Sequence, residues 1–283
     1  MKLYASFFAV AALAAFVPAA AHAADGTFDK TLHVNGQVML SVGTGSGYIH
    51  VSPGAGNEVH IVGHVHASDW GFGASAEDRV RQVVDHPPIE QTGNIVSIGH
   101  HADWIHNVSI DYDITTPRGT QLEASSGSGD LRIQDLGGPL KASTGSGSIQ
   151  ASGATGIVGL ESGSGDIRAD LRAAEDVKAQ TGSGSIHLQG VDGALFARTG
   201  SGDVEVGGQP SSGWKIDTGS GSVTLNTGSA HFTLDASTDS GGVHSDPPLT
   251  THGSFDRHHV QGDINGGGPT VRVSTGSGDV RIH

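Results

Sequence analysis

From Gln121 onward, apolar residues fall at alternate positions in short runs that a glycine-rich turn interrupts at regular intervals. Before the turns stand Leu140 and Ala142, Val158 and Leu160, Val177 and Ala179, Leu195 and Ala197, Trp214 and Ile216, Leu234 and Ala236. After the turns the alternation resumes with Ile149 and Ala151, Ile167 and Ala169, Ile186 and Leu188, Val204 and Val206, Val223 and Leu225, Val280 and Ile282. A period of two marks a strand with one buried face, so each repeat reads as strand, turn, strand. The turn is Thr or Ser followed by Gly-Ser-Gly and then Asp or Ser, with copies or near copies starting at Ser126, Thr144, Ser162, Thr181, Thr199, Thr218, Thr238 (which continues Asp-Ser-Gly-Gly) and Thr275. These starts lie 18, 18, 19, 18, 19, 20 and 37 residues apart, and the last interval reads as two coils with a degenerate copy near Gln261. The spacing predicts an all-β fold, a single-stranded parallel β-helix (β-solenoid) of about 18–19 residues per coil. The leading Thr or Ser keeps the parity of the buried positions and should point inward, its hydroxyl satisfying backbone groups of the turn. The glycines are expected to supply positive φ and close approach between levels.

Upstream the pattern is less regular. An early copy of the motif starts at Thr44, and residues 58–66 alternate with Val59, Ile61 and Val65 on one face and His60, Val62, His64 and His66 on the other. Ser75 can cap a short helix with Glu77 and Asp78 in its first turn, and Pro87-Pro88 ends it. The expected organisation is a signal peptide over 1–23, an N-terminal β region with a His-rich insertion over 24–120, and the repeat array over 121–283, interrupted by an irregular loop at 245–269. The chain ends in a strand at His283 with no polar cap after it, which predicts an open final coil available for association.

The residue after Gly-Ser-Gly alternates as Asp130, Ser148, Asp166, Ser185, Asp203, Ser222, with Asp again at Asp279. Carboxylates on every level would repel at about 4.8 Å, so alternation with Ser spaces the charges. Arg132, Arg168 and Arg281 lie two residues beyond such an Asp and are expected to compensate it locally.

Composition narrows the classes. Lys2, the apolar run Leu3 to Val17, Pro18 and the triplet Ala21-His22-Ala23 read as a secretory leader cut before Ala24, with no transmembrane segment expected after cleavage. There are no cysteines, hence no disulfide framework and no thiolate metal site. A net charge of -14 with 15 Lys plus Arg disfavours nucleic acid as a partner.

The strand Val108 to Ile114, the turn Thr116-Pro117 and the Ser-Gly-Ser-Gly-Asp repeats together resemble a bacterial β-strand-repeat family of unknown function described as "putative adhesins". The resemblance covers most of the mature chain and implies a β-helical fold and an adhesin role. It brings no catalytic residues.

Three functional readings follow. The first is a non-enzymatic structural or adhesin-like protein, exported to the periplasm or cell surface, with a protein or cell-surface partner and self-association through the C-terminal coil edge. The second is a periplasmic metal-binding protein. Histidine is abundant, 17 in all, and His60, His64 and His66 share a strand face from which imidazoles could reach Zn²⁺ or Cu²⁺. The third is a polysaccharide-active enzyme of the β-helix type, which needs converging carboxylates and aromatics; Phe196 and Trp214 are the obvious candidates for the latter. Gly71 to Ala76 imitates a dinucleotide fingerprint but does not directly follow a strand and has no parallel α/β pattern around it, and no Gly-x-Ser-x-Gly elbow occurs. No cofactor is expected apart from the metal of the second reading.

Overall fold

The structure is a computed structural model that describes residues 23–68, 74–100, 107–252 and 256–283. Residues 1–22 of the expected leader fall outside these residues, as do Gly71 to Gly73 of the fingerprint-like stretch, His101 and His106. The chain runs β1 (Ala23–His33), β2 (Met39–Thr44), β3 (Ile49–Pro53), β4 (Glu58–Ser68), helix α1 (Ala76–Asp85), β5 (Ile89–Thr92), β6 (Ile95–Ile98) and β7 (Val108–Thr116). The regular section is β8 (Gln121–Ser126), β9 (Leu131–Ile133), β10 (Leu140–Thr144), β11 (Ile149–Ser152), β12 (Gly156–Ser162), β13 (Ile167–Thr181), β14 (Ile186–Thr199), β15 (Val204–Gly208), β16 (Trp214–Thr218) and β17 (Val223–Asn226). It closes with β18 (Phe232–Thr238), β19 (Val243–Ser245), β20 (Leu249–Thr251), β21 (His259–Ile264), β22 (Thr270–Thr275) and β23 (Val280–Ile282).

The fold is all-β and solenoid-like, because each motif stacks on its neighbour in parallel register. On one side of the corner, Ala124, Ala142, Leu160, Ala179, Ala197 and Ile216 form a continuous column. On the other side Leu131, Ile149, Ile167, Ile186, Val204 and Val223 form a second. Both columns are at most 1% exposed. Burying a Leu, Ile or Val side chain is worth roughly 1.5–3 kcal/mol, so each level is held by apolar residues it shares with the levels on either side.

The order of levels departs from the order of the chain at both ends. β22 lies between β16 and β18, and β23 between β17 and β19. The last repeat in the sequence is therefore interior, and the Thr238 repeat is the outermost level. The predicted open C-terminal coil is corrected: its neighbours cover both of its edges. Residues 245–269, expected to be irregular, contain β20 and β21, and β21 pairs antiparallel with β18 to close that end. Gln261 thus lies in a capping strand and not in a degenerate coil. The opposite end mirrors this arrangement. β2 and β3 sit between the β8–β9 level and the later β6–β7 level, and antiparallel β5 and β4 cover the latter. β1 pairs antiparallel with β4 along its whole length.

Helix α1 covers the inner side of this cap. Ser75 Oγ accepts the Asp78 N–H at 3.1 Å, Val80 and Val83 are buried, and the Gly26 backbone approaches Val80 so closely that a Cβ there would lie 2.5 Å from Cγ1.

The corner residues explain the motif. Thr144 Oγ1 donates to Gly129 O of the preceding level at 2.9 Å and accepts the Gly147 N–H of its own turn at 3.2 Å. The same pair of bonds recurs at Ser162, Thr181, Thr199, Thr218 and Thr275. The glycines differ from expectation in one respect: none of the Gly-Ser-Gly glycines has positive φ. They are needed for proximity alone, since a Cβ on Gly165 would stand 2.0 Å from Gly147 O.

Candidate functional site

β4 brings the three predicted histidines to the outer face of the N-terminal cap, between β1 and β7. Register places His66 beside Asp25, His64 beside Asp111, and Val62 between Asp29 and Asp113. Each imidazole turns to its own carboxylate. His60 Nε2 is 2.8 Å from Asp29 Oδ1, and His64 Nε2 is 3.4 Å from Asp113 Oδ2. His66 Nδ1 is 2.7 Å from Asp25 Oδ1, and its Nε2 is 3.4 Å from Asp111 Oδ2. The histidines share a face but do not converge, and among the described residues no three His, Cys, Asp or Glu side chains are grouped to hold a metal ion.

Sequence reasoning missed the partners. Asp113 also meets His50 Nδ1 at 3.2 Å and accepts the Tyr48 hydroxyl at 2.9 Å. Burial, together with the Asp113 hydrogen bond and the charges of Asp113 and Asp111, pushes the Tyr48 hydroxyl up to about 12. The Asp111-Tyr112-Asp113 alternation was the available signal, but it points to histidines only once antiparallel pairing is known. Of the remaining histidines in that half, His100 Nε2 lies 2.9 Å from Ser41 Oγ, and the His86 backbone N–H closes helix α1 on Gln82 O. The second cap repeats the chemistry: His252 pairs with Asp263, His259 with Asp235, and His283 with Asp246.

Along the body the Asp column has a backbone role beyond charge spacing. Read in spatial order, the column is Asp111, Tyr48, Asp130, Ser148, Asp166, Ser185, Asp203, Ser222, Asp279, Gly242, so the alternation runs unbroken through ten levels. Each Asp Oδ1 accepts a backbone N–H from the next level, from Tyr48, Ser148, Ser185, Ser222 and Gly242 in turn, at 2.8 to 3.1 Å. Of the expected arginine partners, Arg281 pairs with Asp279 at 2.6 Å, whereas Arg132 donates to Gln150. Asp130, Arg132, Gln150, Asp166, Arg168 and His187 line a shallow cleft of about 380 Å³ on this face.

The two aromatics considered for sugar stacking part company. Trp214 is 2% exposed and donates to Gly193 O at 2.9 Å, so it is a core residue. Phe196 points outward beneath Lys215 Nζ, 5.7 Å from the ring centre.

Residues 93–283 match the family model Toastrack DUF4097. The chain belongs to the Toastrack DUF4097 family. The Toastrack match takes in β6 to β23 and so nearly the whole stack, whereas the histidine strand β4 and helix α1 precede it. No curated protein matches the chain. Among solved structures, a "putative cell adhesion protein" from Clostridium sporogenes is 13% identical with a TM-score of 0.31, over 92% of this chain and 99% of its own. A "putative adhesin" from Bacteroides fragilis is 14% identical with a TM-score of 0.39, over 91% and 97%. A "putative lipid binding protein" from Parabacteroides distasonis is 12% identical with a TM-score of 0.39, over 91% and 96%. Among the described residues of this Toastrack chain, no helix is long and apolar enough to cross a membrane.

Proposed function

We propose that this Toastrack protein is an exported, non-enzymatic structural or adhesin-like interaction protein of the bacterial cell envelope, built as a single-stranded parallel β-helix. The observation that carries the reading is the stack itself. Parallel pairing at steps of 18–19 residues, with corner hydroxyls and Asp carboxylates both bonding from level to level, makes a stiff body with flat polar faces. Repetition of one residue set at every level suits a surface that meets an extended partner, and the leader-like segment before Ala24 supports export. Fractionation of cells expressing the full chain provides the test. The reading expects a product starting at Ala24, in the periplasm or on the surface, that envelope material retains in a pull-down. An uncleaved cytoplasmic product, or turnover of acidic or neutral glycans, overturns it.

A second reading, capture of Zn²⁺ or Cu²⁺ by His60, His64 and His66, draws support from their shared exposed face on β4. Calorimetric titration of the untagged mature protein tests it. Stoichiometric binding that disappears when all three are changed to Ala is expected, and weak heat insensitive to the change removes the reading.

A further inference from the structure

Residues 270–283 form a level that pairs with its flanking levels and not with the hairpin that precedes it. β22 and β23 fill the space between the β16–β17 and β18–β19 levels, whereas β21 pairs with β20 on one side and β18 on the other. The fit is that of a motif between two motifs. Thr275 Oγ1 donates to Gly221 O at 2.7 Å, Thr238 Oγ1 donates to Gly278 O at 2.8 Å, and Asp279 Oδ1 accepts the Gly242 N–H at 3.1 Å. Residues 265–269 link the segment to the hairpin that precedes it, and there Asn265, Gly266 and Gly267 have φ of 52°, 96° and 80°. This hinge carries the chain from outside β18 to inside it, a distance of two levels or about 9.6 Å.

We propose that this level is an exchangeable strand site, and that residues 270–283 of a second copy of the chain occupy it in a strand-swapped dimer. The contacts made in trans are those made in cis. The two arrangements therefore differ mainly in hinge conformation and in the effective concentration that the hinge supplies. A hinge too short to turn back across two levels removes the cis arrangement and leaves the trans one. The proposal rests on the interaction reading above and narrows it to self-association through a defined strand.

The test uses two full-length variants, Thr224→Cys and Arg281→Cys, whose positions are partners across β17 and β23 in a chain that has no cysteine of its own. The two are refolded together at high concentration and treated with a short thiol cross-linker. A covalent heterodimer is expected with the natural hinge, rising several-fold when Gly266, Gly267 and Gly268 are deleted from both chains. The double variant Thr224→Cys, Arg281→Cys should cross-link within one chain at high dilution. Cross-linking confined to the double variant overturns the proposal, and so does a double variant that fails to cross-link, because the site itself would then not form. The readout is strand position and does not depend on export or envelope binding. A chain that never exchanges its strand but is still retained by envelope material sinks the swap and leaves the interaction reading standing.

Discussion

Changing Gly165 to Ala places a methyl group where the adjacent level's backbone already stands. The new Cβ would lie 2.0 Å from Gly147 O and 2.4 Å from its carbonyl carbon, where about 3 Å is the closest approach such atoms make. The obstruction is main chain on both sides, so no side-chain rotation relieves it and the two levels must part by about 1 Å at the corner. Three bonds cross or brace that corner: Gly163 N–H to Thr144 O at 3.0 Å, Ser162 Oγ to Gly147 O at 2.8 Å, and Gly165 N–H to Ser162 Oγ at 2.9 Å. Overpacking costs roughly 1–3 kcal/mol, and weakening buried hydrogen bonds worth about 1 kcal/mol each adds to it. The expected loss is about 3–5 kcal/mol. Gly159→Ala is the control, because a Cβ there meets nothing nearer than 4.0 Å and its φ is not positive. That change should be neutral or stabilise by about 0.5 kcal/mol through the unfolded chain. Urea denaturation followed by far-UV circular dichroism measures both. A Gly165→Ala protein within 1 kcal/mol of the parent would refute the claim that proximity, and not turn conformation, selects these glycines.

Three other outcomes follow from particular residues. The Tyr112 hydroxyl is buried with no hydrogen-bond partner among the described residues, and burial raises its pKa well above the usual phenol range. Tyr112→Phe should therefore be neutral or stabilise by about 1 kcal/mol, and a thermal midpoint several degrees lower would contradict this. Ser185→Asp sets a third carboxylate between Asp166 and Asp203; at about 4.8 Å from each, repulsion near 1 kcal/mol per neighbour should cost about 2 kcal/mol at low salt and recede in 1 M salt. A loss indifferent to salt would mean that charge is not the reason for the alternation. In the C-terminal cap, burial alone would raise the Asp235 carboxyl, but Arg272 at 3.0 Å and His259 at 3.2 Å outweigh it and hold the pKa below its ordinary value. A depressed folded value means that the stabilisation is present above the unfolded pKa near 3.9 and is lost as pH falls through the folded one. The protection factors of the β21 amides, corrected for the intrinsic pH dependence of exchange, should fall below about pH 4, and Asp235→Asn should flatten that dependence; a pH profile that the substitution leaves unchanged would contradict a role for Asp235.

Much of the stack was legible because its signals are local. Leu140 and Ala142, or Ile149 and Ala151, declare a buried face by alternation, and the parity of Thr144 with them places its hydroxyl inside the corner. The threading was not legible by spacing, because the step of 20 from Thr218 to Thr238 looks like any other turn of the array. The Asp column held the clue. In chain order Ser222 is followed by Gly242 and then Asp279, and only an Asp279 level inserted between them restores the alternation. The histidine surroundings were hidden for a different reason. His60 and Asp29 are 31 residues apart and meet only because β1 returns antiparallel to β4, which no local pattern announces. Of the two roles expected of the motif glycines, close approach between levels holds and positive φ does not, because the corner turns without entering the left-handed region.

Proximity across one pair of strands decides the order in which the levels stack. Asp217 is in register with Ser274 of the inserted strand, whereas Ser237 lies one level further out, in register with Ser274 on its other side. With the cysteine-free chain as background, the pair Asp217→Cys, Ser274→Cys and the pair Asp217→Cys, Ser237→Cys are each treated with a cross-linker that spans a single strand spacing of about 4.8 Å. The threaded order predicts rapid intramolecular cross-linking of the first pair and none of the second. Cross-linking of the second pair and not the first would show that the repeats stack in the order of the chain.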